Sequence, residues 1–77
     1  MTSPPNPPGL ELLQRCQAGF LLQGTTLNRW ARQNGMEPMF LRHAITGSSN
    51  GPKSQRMRAK AVAAAKLEQL ATSQEAA

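Results

Sequence analysis

An all-α fold of four short helices is what this 77-residue chain predicts, and three observations carry the prediction. Apolar residues recur three and four positions apart in successive stretches, which gathers them on one side of a helix. Glycine, proline and threonine stand between those stretches, where helices stop and start. No run alternates apolar and polar residues as a half-buried strand would, and there is no internal repeat.

The first helix is predicted over residues 10 to 22. Leu10, Leu13, Cys16 or Gln17, and Phe20 recur at helical spacing there, and Leu12, Leu21 and Leu22 widen the stripe. Gly19 weakens its last turn. Gly24 breaks the pattern, and Thr25 or Thr26 can accept a backbone N–H as the N-cap of a second helix over residues 27 to 34, with Leu27, Trp30 and Ala31 inward. Gly35 follows, where a helix commonly ends on a positive φ that only glycine adopts without steric cost. Pro38 suits the first position of a third helix and pushes Glu37 into the extended conformation of an N-cap. Met36 before that cap and Leu41 after it can form a hydrophobic staple, and Leu41, Ala44 and Ile45 face inward. A turn-rich loop over residues 47 to 52 leads to an alanine-rich stretch, about residues 54 to 71, with strong helix propensity.

The ends are of different character. Residues 1 to 8 carry four prolines, which block a helix and favour an extended, polyproline-like tail expected to be disordered; residues 72 to 77 are small and polar and should fray. One domain over residues 9 to 71 remains. A single core of this size is marginally stable, so a dimer contact is a natural supplement. No apolar run approaches the ~20 residues of a membrane span, and the N-terminus lacks the basic and apolar segments of a signal peptide, so an intracellular protein without a membrane partner is expected.

Several chemistries are disfavoured on composition. Cys16 is the one cysteine and His43 the one histidine, too few for an internal disulfide or a closed zinc site, so neither metal nor cofactor is expected. Asp and Tyr are absent, which removes a Ser-His-Asp triad and leaves only Glu11, Glu37, Glu68 and Glu75 for carboxylate chemistry. The reading is therefore of a protein that is not an enzyme, with no catalytic residues. Cys16 lies on an apolar stripe and reads as core, as does Trp30 between Leu27 and Ala31.

Residues 27 to 46 fit two short helices joined by a tight turn containing glycine, the helix-turn-helix arrangement. Ala31 sits where the helices cross and a small side chain allows close approach. Gly35 makes the turn, and Leu41 and Ala44 return into the shared core. The segment Gly24-Thr25-Thr26-Leu27-Asn28-Arg29-Trp30-Ala31-Arg32-Gln33-Asn34-Gly35, followed by Pro38, Gly47 and Gly51-Pro52-Lys53, resembles small helix-turn-helix DNA-binding proteins of transposable, Mu-like bacteriophages and prophages, related in architecture to Cro-type repressors. The resemblance spans about residues 10 to 66 and rests mainly on Trp-Ala-Arg-x-x-Gly. It implies an all-helical fold, early gene regulation, operator binding, and a place in the bacterial cytoplasm at the nucleoid. The start of the reading helix departs from it: Pro38-Met39-Phe40 is more apolar than a DNA-reading surface usually is.

Charge supports the same partner. Arg29, Arg32, Arg42, Lys53, Arg56, Arg58, Lys60 and Lys66 stand against Glu37 alone between residues 29 and 66, an excess of seven positive charges. Each phosphate neutralised releases counterions and adds affinity without sequence information. In a helix-turn-helix the second helix enters the major groove, and the residues pointing away from the core there are Met39, Arg42, His43 and Thr46. Arg42 is the best base reader, because a guanidinium donates two parallel bonds to guanine O6 and N7; His43 offers one bond, and Thr46 or Met39 mainly a methyl contact. Arg29, Arg32, Lys53, Arg56 and Lys60 suit phosphate, with Thr26 and Asn28 adding neutral bonds.

Plainer readings compete with each of these. Arg29, Arg32 and the basic cluster from Lys53 to Lys66 also suit solvated helix faces, and His43 an ordinary surface position. Met39 and Phe40, two large apolar side chains at an exposed helix start, suggest instead a protein contact, as in a phage-encoded antagonist of a host regulator or motor protein. On the DNA-binding reading a homodimer is expected, pairing two reading helices across half-sites, with Val62, Leu67 and Leu70 of the fourth helix or Leu12, Phe20 and Leu21 of the first at the interface.

Overall fold

The computed structural model describes residues 7–67. Four helices follow in order: α1 (Leu10–Leu22), α2 (Leu27–Gln33), α3 (Pro38–Thr46) and α4 (Pro52–Ala65). There is no strand among the described residues.

Local chemistry accounts for most of the boundaries. Thr26 is the cap of α2: its Oγ1 accepts the Arg29 N–H at 3.1 Å, while Thr25 Oγ1 is enclosed without a partner. Pro38 occupies the first turn of α3, and Glu37 adopts an extended φ of -76° and ψ of 121° with its carboxylate accepting the Met39 N–H at 3.3 Å. Between them the chain reverses at Gly35, with φ 70°. The Met36 N–H bonds Ala31 O at 2.8 Å and the Gly35 N–H bonds Arg32 O at 3.2 Å, the paired bonds of a Schellman ending that require a left-handed residue between them. α1 ends with the same pairing around Gly24.

Helix α3 lies at the centre, packed against α1, α2 and α4; α1 touches all three others, and α2 and α4 do not meet. Leu12, Cys16, Phe20, Leu27, Leu41 and Ile45 form the core, with Ala31, Ala61 and Ala65 fully enclosed where helices approach closely. Trp30 is half-buried instead of fully enclosed. Its ring stacks on Phe20 with centroids 5.2 Å apart, so one face is packed and the other edge reaches solvent. Gly19 has a role that weak helix propensity does not suggest. A Cβ there would collide with the Ala65 carbonyl oxygen and lie 3.1 Å from Ala65 Cβ, so the absent side chain is what lets α1 and α4 cross in contact. Gln23 fastens the same crossing, its Nε2 donating to Gly19 O at 3.2 Å and to Ala64 O at 2.8 Å.

Four expectations are corrected. α4 begins at Pro52, not near residue 54, because proline's fixed φ fits the first turn and the Gln55 N–H already bonds Gly51 O at 2.9 Å. It stops at Ala65, not at residue 71: Lys66 turns left-handed at φ 52° and Leu67 folds back into the core, 8% exposed. Residues 68–71 of the expected helix, Leu70 included, and the tail at 72–77 lie outside the described residues, as do residues 1–6 of the N-terminal tail. At that N-terminal end, Pro7 and Pro8 belong to the described body. The Gly9 N–H bonds Ile45 O at 3.0 Å, and Pro8 lies over Gly47, against the end of α3. Finally, Leu12 and Phe20 are committed to the core, so on α1 the exposed leucines are Leu10, Leu21 and Leu22, the reverse of part of the dimer expectation.

Candidate nucleic-acid interface

One side of α3 is closed by Leu41, Ala44 and Ile45, all fully buried, and the opposite side is thereby turned to solvent. Met39 and His43 stand on that outer side, both exposed. Thr46 is half-buried. Its hydroxyl donates back to Arg42 O at 3.0 Å and His43 O at 3.3 Å and its oxygen pairs with Ser48 Oγ at 3.3 Å, which leaves the methyl as its outward chemistry.

Arg42 is placed differently from the free reader that sequence suggests. It lies on the flank of α3 toward α2, half-buried, with Nη2 donating to Asn28 Oδ1 at 3.2 Å and Nε enclosed without a partner. Nη2 carries a second hydrogen, so an end-on pair of bonds through Nη1 and Nη2 remains geometrically open, while a side-on approach through Nε is closed. The bond to Asn28 also limits the rotamer freedom that a four-torsion side chain would otherwise lose on binding.

The cations fall on both sides of α3. Arg29 and Arg32 are exposed on α2; Lys53, Arg56 and Lys60 are exposed on α4, where their spacing places them on one face. Thr26 is exposed and Asn28 half-buried at the start of α2, each already engaged through its side-chain oxygen, so Asn28 Nδ2 and the Thr26 hydroxyl hydrogen are the groups left to donate. The sequence-derived set is therefore divided: Thr26, Asn28, Arg29 and Arg42 are local to the start of α2 and the near flank of α3, whereas Lys53, Arg56 and Lys60 line a cleft on the other flank.

That cleft, of about 580 Å³, lies between the α2–α3 turn, α3 and α4. Met36, Phe40 and Met57 contribute its apolar lining beside the three α4 cations. Phe40 was readable as an exposed apolar residue; its conjunction with Met57 was not, because the pairing depends on the α3–α4 crossing.

Arg58 belongs to neither basic surface. Its Nη1 donates to Ala44 O at 2.9 Å and to Asn50 Oδ1 at 3.2 Å, satisfying a carbonyl in the last turn of α3 and fixing the loop that follows. No local pattern distinguishes Arg58 from its neighbour Arg56; only the fold assigns one to structure and the other to solvent. Cys16 is fully buried, and burial pushes its thiol up from 9.0 to about 11, partly opposed by the Arg15 charge, so at neutral pH it is an inert core group. Among the described residues no group of His, Cys or Glu could hold a metal ion, and no helix there is long and apolar enough to cross a membrane.

No family model, curated protein or solved structure matches this chain.

Proposed function

We propose that this chain is a small sequence-specific binder of double-stranded DNA, a transcriptional regulator of phage or prophage type, in which α2, the turn at Gly35 and α3 act as a helix-turn-helix. α3 enters the major groove. Met39, Arg42, His43 and Thr46 face base edges, with Arg42 reading guanine end-on and Met39 and Thr46 supplying methyl contacts. Arg29 and Arg32 on one side, and Lys53, Arg56 and Lys60 on the other, neutralise phosphates, with Thr26 and Asn28 adding neutral bonds. The observation that carries this reading is the exposure of those five cations on the elements either side of α3, because a duplex groove has a phosphate strand along each edge. Two copies acting as a homodimer on a two-fold site would double the few base contacts one short helix makes.

Fluorescence anisotropy with a labelled duplex at two salt concentrations tests the reading. Affinity should fall steeply with salt, and Arg42→Ala should narrow the gap between the preferred duplex and a scrambled one. Absence of any duplex retention at low salt would refute it. A second reading, docking onto a host protein, is favoured by one observation: Met39 and Phe40 are 55% and 65% exposed, an apolar pair at the start of α3. On that reading Met39→Ala and Phe40→Ala abolish partner capture while changes at Arg29 and Arg32 do little.

A further inference from the structure

We infer that the cleft between the start of α3 and the outer face of α4 is a docking site for an acidic amphipathic helix of a protein partner. Its lining has two parts. Met36, Phe40 and Met57 present apolar surface, and Lys53, Arg56 and Lys60 stand around Met57 on the same face of α4. Phe40, 65% exposed, leaves much of its ring without a packing partner. The volume of about 580 Å³ falls within the ~300–1,000 Å³ typical of sites that enclose a ligand.

The composition selects the occupant. A phosphate strand would satisfy the cations but leave two thioethers and a phenyl ring against water, since sugar and phosphate offer little apolar area. An apolar segment without charge would cover the floor and strip water from three ammonium or guanidinium groups without replacing it. A helix with Leu or Phe at i, i+3 and i+7 and carboxylates along one flank meets both demands, with apolar side chains on Met36, Phe40 and Met57 and acids against α4. Methionine lining adapts its shape to such a partner at small cost. Glu37 fixes the sense of the charge: it lines the edge of the cleft at α3, so the partner's acids belong on the α4 side. This inference does not rest on DNA binding. Because Lys53, Arg56 and Lys60 serve both, however, a bound helix and a duplex compete.

The test uses the full chain with methionine methyl groups isotopically labelled, titrated with a synthetic amphipathic peptide bearing Leu and Phe on one face and Glu on the adjoining flank. The Met36 and Met57 methyl resonances should shift while that of Met39, on the outer side of α3, stays in place. In anisotropy, Met57→Glu and the pair Lys53→Glu with Lys60→Glu should each weaken the peptide at least about tenfold. Met57→Leu, which conserves volume, should retain it and shows that the fold is kept. Equal binding of a scrambled peptide of the same composition would overturn the proposal, as would no binding. Movement of the Met36 and Met57 methyls by a duplex with no response to the peptide assigns the cleft to nucleic acid, and movement with protein concentration alone assigns it to a second copy; either result also overturns it. A parallel duplex titration separates the two readings: loss of duplex binding with the peptide response intact removes only the DNA reading, and the converse removes only this one.

Discussion

Asn28 holds Arg42 across the gap between α2 and α3, its side-chain oxygen accepting from Nη2 at 3.2 Å. The bond couples the start of one helix to the flank of the next. Asn28→Ala should release the guanidinium, costing about 0.5–1.5 kcal/mol of stability for a neutral acceptor lost from a charged donor that can rehydrate. If Arg42 reads a guanine, the larger effect is on discrimination. The gap between matched and single-substituted duplexes, ~1–3 kcal/mol for a bidentate contact, should shrink, beyond the uniform loss on every duplex that removing the Asn28 bond to phosphate brings. Anisotropy with paired duplexes reads both. Equal loss on matched and unrelated DNA would make Asn28 a phosphate contact and not a support for Arg42.

At the α1–α4 crossing, Gly19→Ala opposes two effects of known size. Alanine in a helix interior is favoured over glycine by about 1 kcal/mol. Its methyl, however, would meet the Ala65 carbonyl, a backbone atom that cannot swing aside, and forced overpacking typically costs about 1–3 kcal/mol. The collision should win, lowering the urea midpoint and disturbing the α1–α4 crossing. A higher midpoint for Gly19→Ala would show that the two helices can separate without loss.

The contrast between these two sites explains what sequence does and does not disclose here. The starts of α2 and α3 and the turn between them are written locally, in Thr26, Gly35 and the Glu37-Pro38 pair, because a cap is a contact among residues three or four apart. The end of α4 is not: Lys66 takes a left-handed conformation with no glycine to announce it, so that Leu67 can return to the core. Gly19, Arg58 and the Phe40–Met57 cleft depend on partners far along the chain, and nothing in their neighbours marks them. Outward placement of Met39 and His43 follows from helical periodicity alone; the tether on Arg42 needs the packing of α2 against α3.

Burial of Cys16 sets an alkaline limit. The folded thiol ionises near 11 against an ordinary 9.0, so the folded state keeps its proton to higher pH than the unfolded chain. The stability contributed by the neutral, packed thiol is therefore complete below about pH 9 and is lost as pH rises toward 11. Urea titrations at neutral and alkaline pH should show a smaller alkaline loss for Cys16→Ala than for the parent. At pH 8 the thiol should resist a maleimide until urea unfolds the chain. Rapid labelling of the native protein would mean that α1 opens locally.

Arg56 and Arg58, two residues apart on α4, should separate function from structure in one pair of variants. Arg56 is exposed beside the cleft, whereas Arg58 donates to Ala44 O and Asn50 Oδ1 at the end of α3. Arg56→Ala should leave the unfolding midpoint nearly unchanged, as surface changes usually stay within about 0.5 kcal/mol, and lower the slope of log affinity against log salt by about 1 if it neutralises a phosphate. Arg58→Ala should do the reverse. It leaves a carbonyl of α3 short of a donor, a loss of ~1–3 kcal/mol, while the salt slope of the protein that stays folded is retained. Equal salt slopes for parent and Arg56→Ala would remove Arg56 from the proposed phosphate contacts and leave Lys53 and Lys60 of α4, with Arg29 and Arg32 of α2, to supply them.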